Sequence, residues 1–382
     1  VRHYLDHAST SSLRPEARDA MVHWLHEHAG DPGRIHREGL TTRAAVEEAR
    51  EQVAALFGAR PREVVFTSGA TESIAAAVHG AAAWWTERHG TSPTMVVPRI
   101  EHSAVREASR RAAHVVWVGV DGRGRVDLDE LLATIGPDTA IVHLQWANHE
   151  VGTRQPVHEV VAACRERDVL VHVDAASAAG RDPIDFGALG ADLLSISAHK
   201  LGGPPGVGAL LVRRGLRLPP LLLGGEQERA RRAGMENVPA VAGFGAACDA
   251  LTGSLTSEAA TADRLTRRVL DAVARGVDAG LGDLTVYGDP DDRVPHLVCL
   301  GVGGVEPQAV LLGLDQAGVA AHSGSACASE GLEPSPVLEA MGVDAHRSLR
   351  VSVGWDSTDD AIDALLSALP PVLARLRALA AG

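Results

Sequence analysis

Lys200 stands in the run Ser195-Ile-Ser-Ala-His199-Lys200-Leu-Gly-Gly203, and upstream Asp174 closes the apolar stretch Val171-His-Val-Asp174. A lysine amine can condense with an aldehyde, and a carboxylate at a strand end can pair with a protonated ring nitrogen. Those two groups are what pyridoxal phosphate needs to be held and to withdraw electrons from a bound amine. Either residue alone reads equally well as a surface lysine or a turn-capping aspartate. Their coexistence is the informative feature.

Other groups extend that chemistry. Ser68-Gly69-Ala70-Thr71 lies between a candidate strand and a candidate helix, where unsatisfied N–H groups and the helix dipole attract a phosphate. Ser197 and His199 can add donors from the lysine run. His102 follows a candidate strand, where an imidazole can stack on a ring and relay a proton. Cys327 sits in His322-Ser-Gly-Ser-Ala-Cys327-Ala-Ser-Glu330, among small residues, as a candidate thiolate nucleophile. The other cysteines, Cys164, Cys248 and Cys299, stand in apolar contexts and read as small hydrophobes. None of the four forms a CxxC pair, so neither a zinc knuckle nor a disulfide scaffold is expected.

These residues need strand ends and helix starts to bring them together. Glu16 to His28 and Thr41 to Phe57 read as helices around the Gly30-Asp-Pro-Gly33 turn. Glu63 to Thr67 reads as a strand entering the Ser68 turn and an alanine-rich helix. Strands follow near Met95 to Pro98, His114 to Val118, Ala140 to Trp146, Val169 to Val173, Leu193 to Ile196 and Gly208 to Val212. Helices intervene between most of them. This alternation predicts a doubly wound, mainly parallel sheet with sites at its strand ends. After the Arg213–Pro220 connection comes a long helix from Val238 to Ala274, expected to break near Gly253. Strands near Leu284 to Tyr287, His296 to Leu300 and Ser348 to Val353, with a last helix from Asp359, complete a smaller unit. We expect a large unit over 15–250, and a small one from 1–14 with 251–382.

With 382 residues, 45% hydrophobic and 22% charged, the chain is long enough for two folded units and too apolar for general disorder. Its formal charge of -13 disfavours direct, tight binding to nucleic acid or anionic membranes. The N-terminal residues hold no secretory apolar core, and no uninterrupted apolar run is long enough to span a bilayer. The expected location is the cytoplasm.

At this point the chain resembles the cysteine desulfurases, pyridoxal phosphate enzymes of the aminotransferase-like fold type I. The shared motifs run in order along nearly the whole chain: Tyr4-Leu-Asp-His-Ala-Ser-Thr10, Val65-Phe-Thr-Ser-Gly-Ala-Thr-Glu72, Glu101-His102, Asn148-His-Glu-Val-Gly152, His172-Val-Asp174, Ser195 to Lys200, Ser323-Gly-Ser-Ala-Cys327 and Leu332-Glu-Pro-Ser335. The resemblance implies a large, mainly parallel seven-stranded sheet domain with a smaller C-terminal α/β domain, assembled as a homodimer. It implies Lys200 as the Schiff-base lysine, Asp174 as the ring-nitrogen partner, His102 as the stacking residue and Cys327 as the persulfide carrier. Ala70, Thr71, Ser197 and His199 fall at phosphate positions, and Arg350 at that of the substrate carboxylate clamp. The implied reaction turns L-cysteine into L-alanine and passes sulfur to an acceptor.

The chain departs from the family in several places. His149 replaces an asparagine, leaving Asn148 and His149 as cofactor contacts, and Ser177 replaces a glutamine near the cofactor's phenolic oxygen. Asp31 replaces an asparagine on the substrate side. Met235 replaces a threonine that the second subunit often lends to the phosphate, a role that Arg229, Arg231 or Arg232 would then have to fill. The Ser-Gly-Ser-Ala-Cys form resembles the subgroup that supplies iron-sulfur assembly and transfer RNA thiolation. The combination of departures resembles the desulfurases of bacterial DNA phosphorothioation systems, with an iron-sulfur protein as sulfur acceptor. A selenocysteine or cysteine sulfinate lyase, and a pyridoxal phosphate-binding subunit without activity, remain alternatives.

Overall fold

The apolar runs become strands because the sheet they build is covered on both faces, so every strand but the edge strand His114–Val118 is buried along its length. The computed structural model describes residues 1–26, 28–323 and 334–380. β1 (His3–Tyr4) is a short N-terminal strand. β2 (Val64–Thr67), β3 (Thr94–Pro98), β4 (His114–Val118), β5 (Thr139–Gln145), β6 (Leu170–Asp174), β7 (Leu193–Ser197) and β8 (Gly208–Val212) form a seven-stranded sheet. Its order is β2-β8-β7-β6-β5-β3-β4, with β8 antiparallel to both neighbours and the other pairings parallel. The expected aminotransferase-like large sheet is therefore present.

The chain order reverses around β5, whose neighbours are β3 on one side and β6 on the other. Open α/β sheets leave a crevice beyond the strand ends at such a reversal. Registers align the ends closely: Gln145 pairs with Asp174, and Thr67 with Gly208, which in turn pairs with Ser197. Gly208 also explains how the Ser68 turn lies against the sheet. A Cβ there would come within 2.5 Å of the Ile196 carbonyl oxygen and 2.7 Å of the Gly69 Cα.

A second core forms on β9 (Leu284–Tyr287), β10 (Leu297–Val302), β11 (Val319–Ala320) and β12 (Ser348–Ser352). β10 lies between β9 and β12, antiparallel to both, while β1 pairs in parallel with β11. Asp6 also bridges to Ser352, so the N-terminus joins this smaller layer.

The helix Val238–Ala274 links the two cores, its first turns packing on the large one and its last turns on the small one. It does not break near Gly253 as expected from sequence. A Cβ at Gly253 would meet open space, and buried Leu251 and partly buried Leu255 hold the helix on either side. A glycine costs a helix only about 1 kcal/mol, which such packing overrides. Among the described residues this is the one helix long and apolar enough to cross a membrane by length and composition, and half of that stretch is buried. The helix expected from Thr41 begins instead at Arg37, because His36 caps it by accepting the Gly39 N–H. Histidine is not among the usual capping residues, so the start was hidden in the sequence.

One strained segment is tied to the large core. Glu228, Arg229 and Ala230 have positive φ values of 48°, 58° and 59°. The turn is held by Glu228, whose carboxylate accepts two bonds from buried Arg50, at 2.7 and 2.8 Å, and one from the Phe66 N–H. Removing one partner of such a pair strands the other charge without water. Glu228→Ala is therefore expected to cost about 3–5 kcal/mol in urea unfolding, and a loss below about 1 kcal/mol would contradict this role.

Candidate active site

A cavity of about 460 Å³ opens over the aligned ends of β5, β6 and β7. Gln145, Ala147 and Asp174 line its base, with Lys200 and Ser197 on one side and His102 and His149 on another. Ser68, Gly69, Ala70 and Thr71 enter it from the start of the helix Ala70–His89. The N-cap Gly69 makes no side-chain bond to the first turn, whose N–H groups have no partner within the helix. Ser177, His199 and Arg350 also border the cavity. Most of the residues singled out in the sequence thus meet here, although they are spread over several hundred positions.

Asp174 is buried at the end of β6. Burial pushes its pKa up, while the Ala176 N–H, donating to Oδ1 at 2.9 Å, and the charges of Lys200 and His149 pull it down. Glu101, in the Glu101-His102 motif, is a second buried carboxyl beside the site. Its Oε1 accepts the Gln145 N–H at 2.6 Å, and its Oε2 has no hydrogen-bond partner among the described residues. Burial first, and then the neighbouring Asp174 charge, push its pKa well above the usual carboxylate range. Each carboxyl accepts one backbone N–H and both are pushed upward, but Asp174 is the better placed of the two to stay ionised, since only it has Lys200 and His149 pulling its pKa back down.

Burial drives four of the histidines toward their neutral forms. His102 caps the helix Ser103–Ala112, with Nδ1 accepting the Ala104 N–H at 3.1 Å. That bond leaves the proton of the neutral ring on Nε2. Burial, reinforced by His149 and Lys200, lowers its pKa to about 3. The rings of His102 and His149 meet edge to face at 5.2 Å. Burial and Lys200 lower His199 to about 4, and its Nδ1 lies 3.1 Å from the Thr10 hydroxyl. One row beneath the cavity base, His143 Nδ1 lies 3.0 Å from His172 Nδ1, and His172 Nε2 lies 2.7 Å from Ser195 Oγ. Burial lowers His143 to about 3 and His172 well below the usual range.

Arg350 is held by the carboxylate of Asp6 at 2.9 Å, the Ser9 hydroxyl at 2.8 Å and the His149 carbonyl at 3.1 Å. Its buried Nε finds no partner among the described residues. Asp6 and Ser9 were missed as site residues, although the Tyr4–Thr10 motif contained them.

Four expectations stand apart from this cavity. Asn148 does not line the cavity: its side-chain oxygen accepts the Glu150 and Val151 N–H groups, and its amide donates to the Ile100 carbonyl. It builds the turn that presents His149. Asp31 also lies away, bonding the Gly33 N–H and pairing with Arg34. Arg229, Arg231 and Arg232 do not replace the missing threonine within the protomer. Arg229 and Arg232 pair with Glu47 and Glu72, and Arg231 donates to backbone carbonyls. Cys327 lies outside the described residues. Burial pushes the thiols of Cys164 and Cys299 up to about 12 and that of Cys248 further, so none of these is a ready thiolate.

The donor set fits pyridoxal phosphate. The cavity lining offers a buried carboxylate that would suit a ring nitrogen, an imidazole that would suit a ring face, a lysine that would suit an aldehyde and a helix start that would suit a phosphate. Residues 3–365 match the family model described as aminotransferase class-V. The chain is 39% identical over 387 aligned residues to a cysteine desulfurase of Trichormus azollae, covering 98% of this chain and 94% of that one. Among solved structures, a NifS-like protein matches with a TM-score of 0.90 at 31% identity, covering 98% of this chain and all of the other. DndA from Streptomyces lividans matches with a TM-score of 0.75 at 34% identity, over 91% of this chain and 99% of its own.

The buried rings set a pH dependence. Below the ordinary histidine value of 6.5, the unfolded chain takes up protons that His102, His143, His172 and His199 refuse while folded. Stability is then lost as pH falls through that value. His7 and His296 are depressed by burial in the same way and add to the four rings, while Glu101, Asp174 and Glu236, all raised by burial, act in the opposite sense. The urea midpoint is expected to be lower near about pH 5.5 than near about pH 7.5, and an equal or higher midpoint would show that the rings take protons in the fold.

Proposed function

The chain belongs to the cysteine desulfurases of the class-V aminotransferase family, and from that premise we propose how its residues divide the work of taking sulfur from L-cysteine. The observation that carries this is the convergence of Lys200, Asp174, His102 and Arg350 on one cavity. The cofactor, when bound, supplies an aldehyde that holds the amino acid's amine and a ring that withdraws electrons from its α-carbon. Lys200 would be the covalent anchor, and its Nζ, once released, would take the α-proton. Asp174 would hold a negative charge against the ring nitrogen. His102 would stack on the ring, with Nε2 as the atom through which a proton would pass. Ala70, Thr71, Ser197 and His199 hold the phosphate, and His149 and Ser177 border the ring. The unpartnered Nε of Arg350 supports its role as the donor to the substrate carboxylate.

Cys327 completes the reaction as its thiolate attacks the substrate sulfur. A sulfur–sulfur bond forms, the carbon–sulfur bond breaks, and its electron pair returns to the carbon that becomes the methyl group of alanine. Cys327 is left as a persulfide. Two facts support this assignment. The three described cysteines are held as thiols. Cys327 also follows His322 by five positions, and the His322 backbone pairs with that of Arg350 at the cavity. Five residues of extended chain span at most about 18 Å, which sets the reach of that sequence separation.

Around this chemistry we place residues 15–250 in one unit and 1–14 with 251–382 in another, a division supported by the two apolar cores. The protein works as a homodimer in the cytoplasm. Leu223, 83% exposed, and Met235, 65% exposed, support a partner surface on the segment that follows β8. The departures at His149, Ser177 and Met235, together with the likeness to DndA, support a sulfur acceptor in DNA phosphorothioation, reached through an iron-sulfur protein.

Cys327→Ser is expected to keep the cofactor's absorbance and lose sulfide release from cysteine. Normal turnover by that variant would overturn the persulfide assignment. Isotopically labelled cysteine, followed by mass spectrometry of added acceptors, is expected to mark a DNA-modification partner. Label found only on a general iron-sulfur scaffold or a transfer RNA enzyme would overturn the acceptor.

A further inference from the structure

Four successive carbonyls around the lysine are taken by donors from outside its turn. The Ser11 N–H donates to His199 at 2.9 Å, and the Arg181 guanidinium to Lys200 at 3.2 Å. Arg14 supplies the other two, through Nε to Leu201 at 3.0 Å and through its N–H to Gly202 at 2.9 Å. The same Arg181 nitrogen donates to the Ser11 hydroxyl at 2.8 Å, so it ties the turn to the N-terminal segment. Arg14 is in turn anchored by Glu258 on the helix Val238–Ala274.

The fit leaves little room for rearrangement. A Cβ at Gly202, whose φ is +93°, would lie 2.6 Å from the Arg14 Cγ, and one at Gly180 would lie 2.6 Å from the Leu201 Cβ. Arg181 is only 4% exposed, and burial holds its pKa down to about 10. A guanidinium kept in so dry a place needs its acceptors, and they are the Lys200 carbonyl and Ser11.

The other end of this N-terminal segment holds Arg350 through Asp6 and Ser9. One short stretch of chain therefore touches the lysine turn and the arginine across the cavity. We propose that residues 6–14 and Arg181 form a brace that fixes the Lys200 backbone relative to Arg350, with Arg181 as the positioning residue for the lysine. The inference rests on Lys200 being the cofactor's anchor. Its physical consequence is that the amine moves between anchor and α-proton by side-chain rotation alone, over a backbone that does not give. Orientation errors of an ångström at a reacting group slow reactions strongly.

The test uses the holoenzyme. Arg181→Met is expected to lower kcat about tenfold with the KM for cysteine within about twofold. Removing a buried positive charge beside Lys200 should also raise the midpoint of the lysine-bound cofactor's absorbance titration, by about one pH unit. Arg181→Lys, whose ammonium can donate to both acceptors, is expected to restore the midpoint and most of kcat. Wild-type kcat and midpoint in Arg181→Met would overturn the brace. Should that variant not fold, hydrogen exchange on the wild-type holoenzyme decides. The amides of Ser11 and Arg14 are expected to exchange as slowly as those of β7, and exchange at the rate of an exposed loop would overturn it. Failure of the anchor assignment shows differently, as a borohydride-trapped cofactor adduct that survives in Lys200→Ala.

Discussion

The site depends on keeping one carboxylate charged where there is almost no water. Asp174 sits at the end of a fully buried strand, and burial alone would return its proton. What opposes this is local: one N–H from the turn that follows, and the positive fields of Lys200 and His149. Glu101 has an N–H donor of its own in Gln145 but lacks the positive neighbours, and is pushed toward its neutral form. Two carboxyls of similar intrinsic acidity are thereby separated by the charges beside them.

The same dryness determines the state of the imidazoles. His102, His143, His172 and His199 are all driven neutral, chiefly by burial. A neutral His102 with Nδ1 committed to a helix start has a single free direction for proton traffic, and its ring presents no charge to a neighbouring aromatic system. The row below, His143 to His172 to Ser195, satisfies much of its polarity internally across three strands. Polar residues can thus floor a site without bringing water into it.

Much of this was legible in the residues themselves. The β6 and β7 runs are apolar and bounded by turns, so their ends, Asp174 and the approach to Lys200, could be placed without coordinates. Local signals failed where the deciding contact was distant. Asn148 resembles a cofactor ligand in its motif, but its amide is consumed by the Glu150, Val151 and Ile100 backbone. Gly253 looks like a helix break, and the long helix passes it because the residues around it are packed. His36 gave no capping signal, because it acts as an acceptor only once Gly39 is presented to it.

The sequence by itself determined the chemistry available, because residue type sets what a group can do: a lysine to hold an aldehyde, an aspartate to pair with a ring nitrogen, a cysteine among small residues to receive sulfur. Periodicity and turn residues also determined the alternating strands and helices, since those follow from contacts between near neighbours. Only the tertiary structure decided which carboxyl is charged, which imidazole atom carries the proton and which residues hold the Lys200 turn. Those properties arise from burial and from partners far away in sequence, as when Ser11 and Arg14 meet the carbonyls of His199, Leu201 and Gly202. Desolvation and long-range hydrogen bonds exist only once the chain has folded, so no local pattern of residues encodes them in readable form.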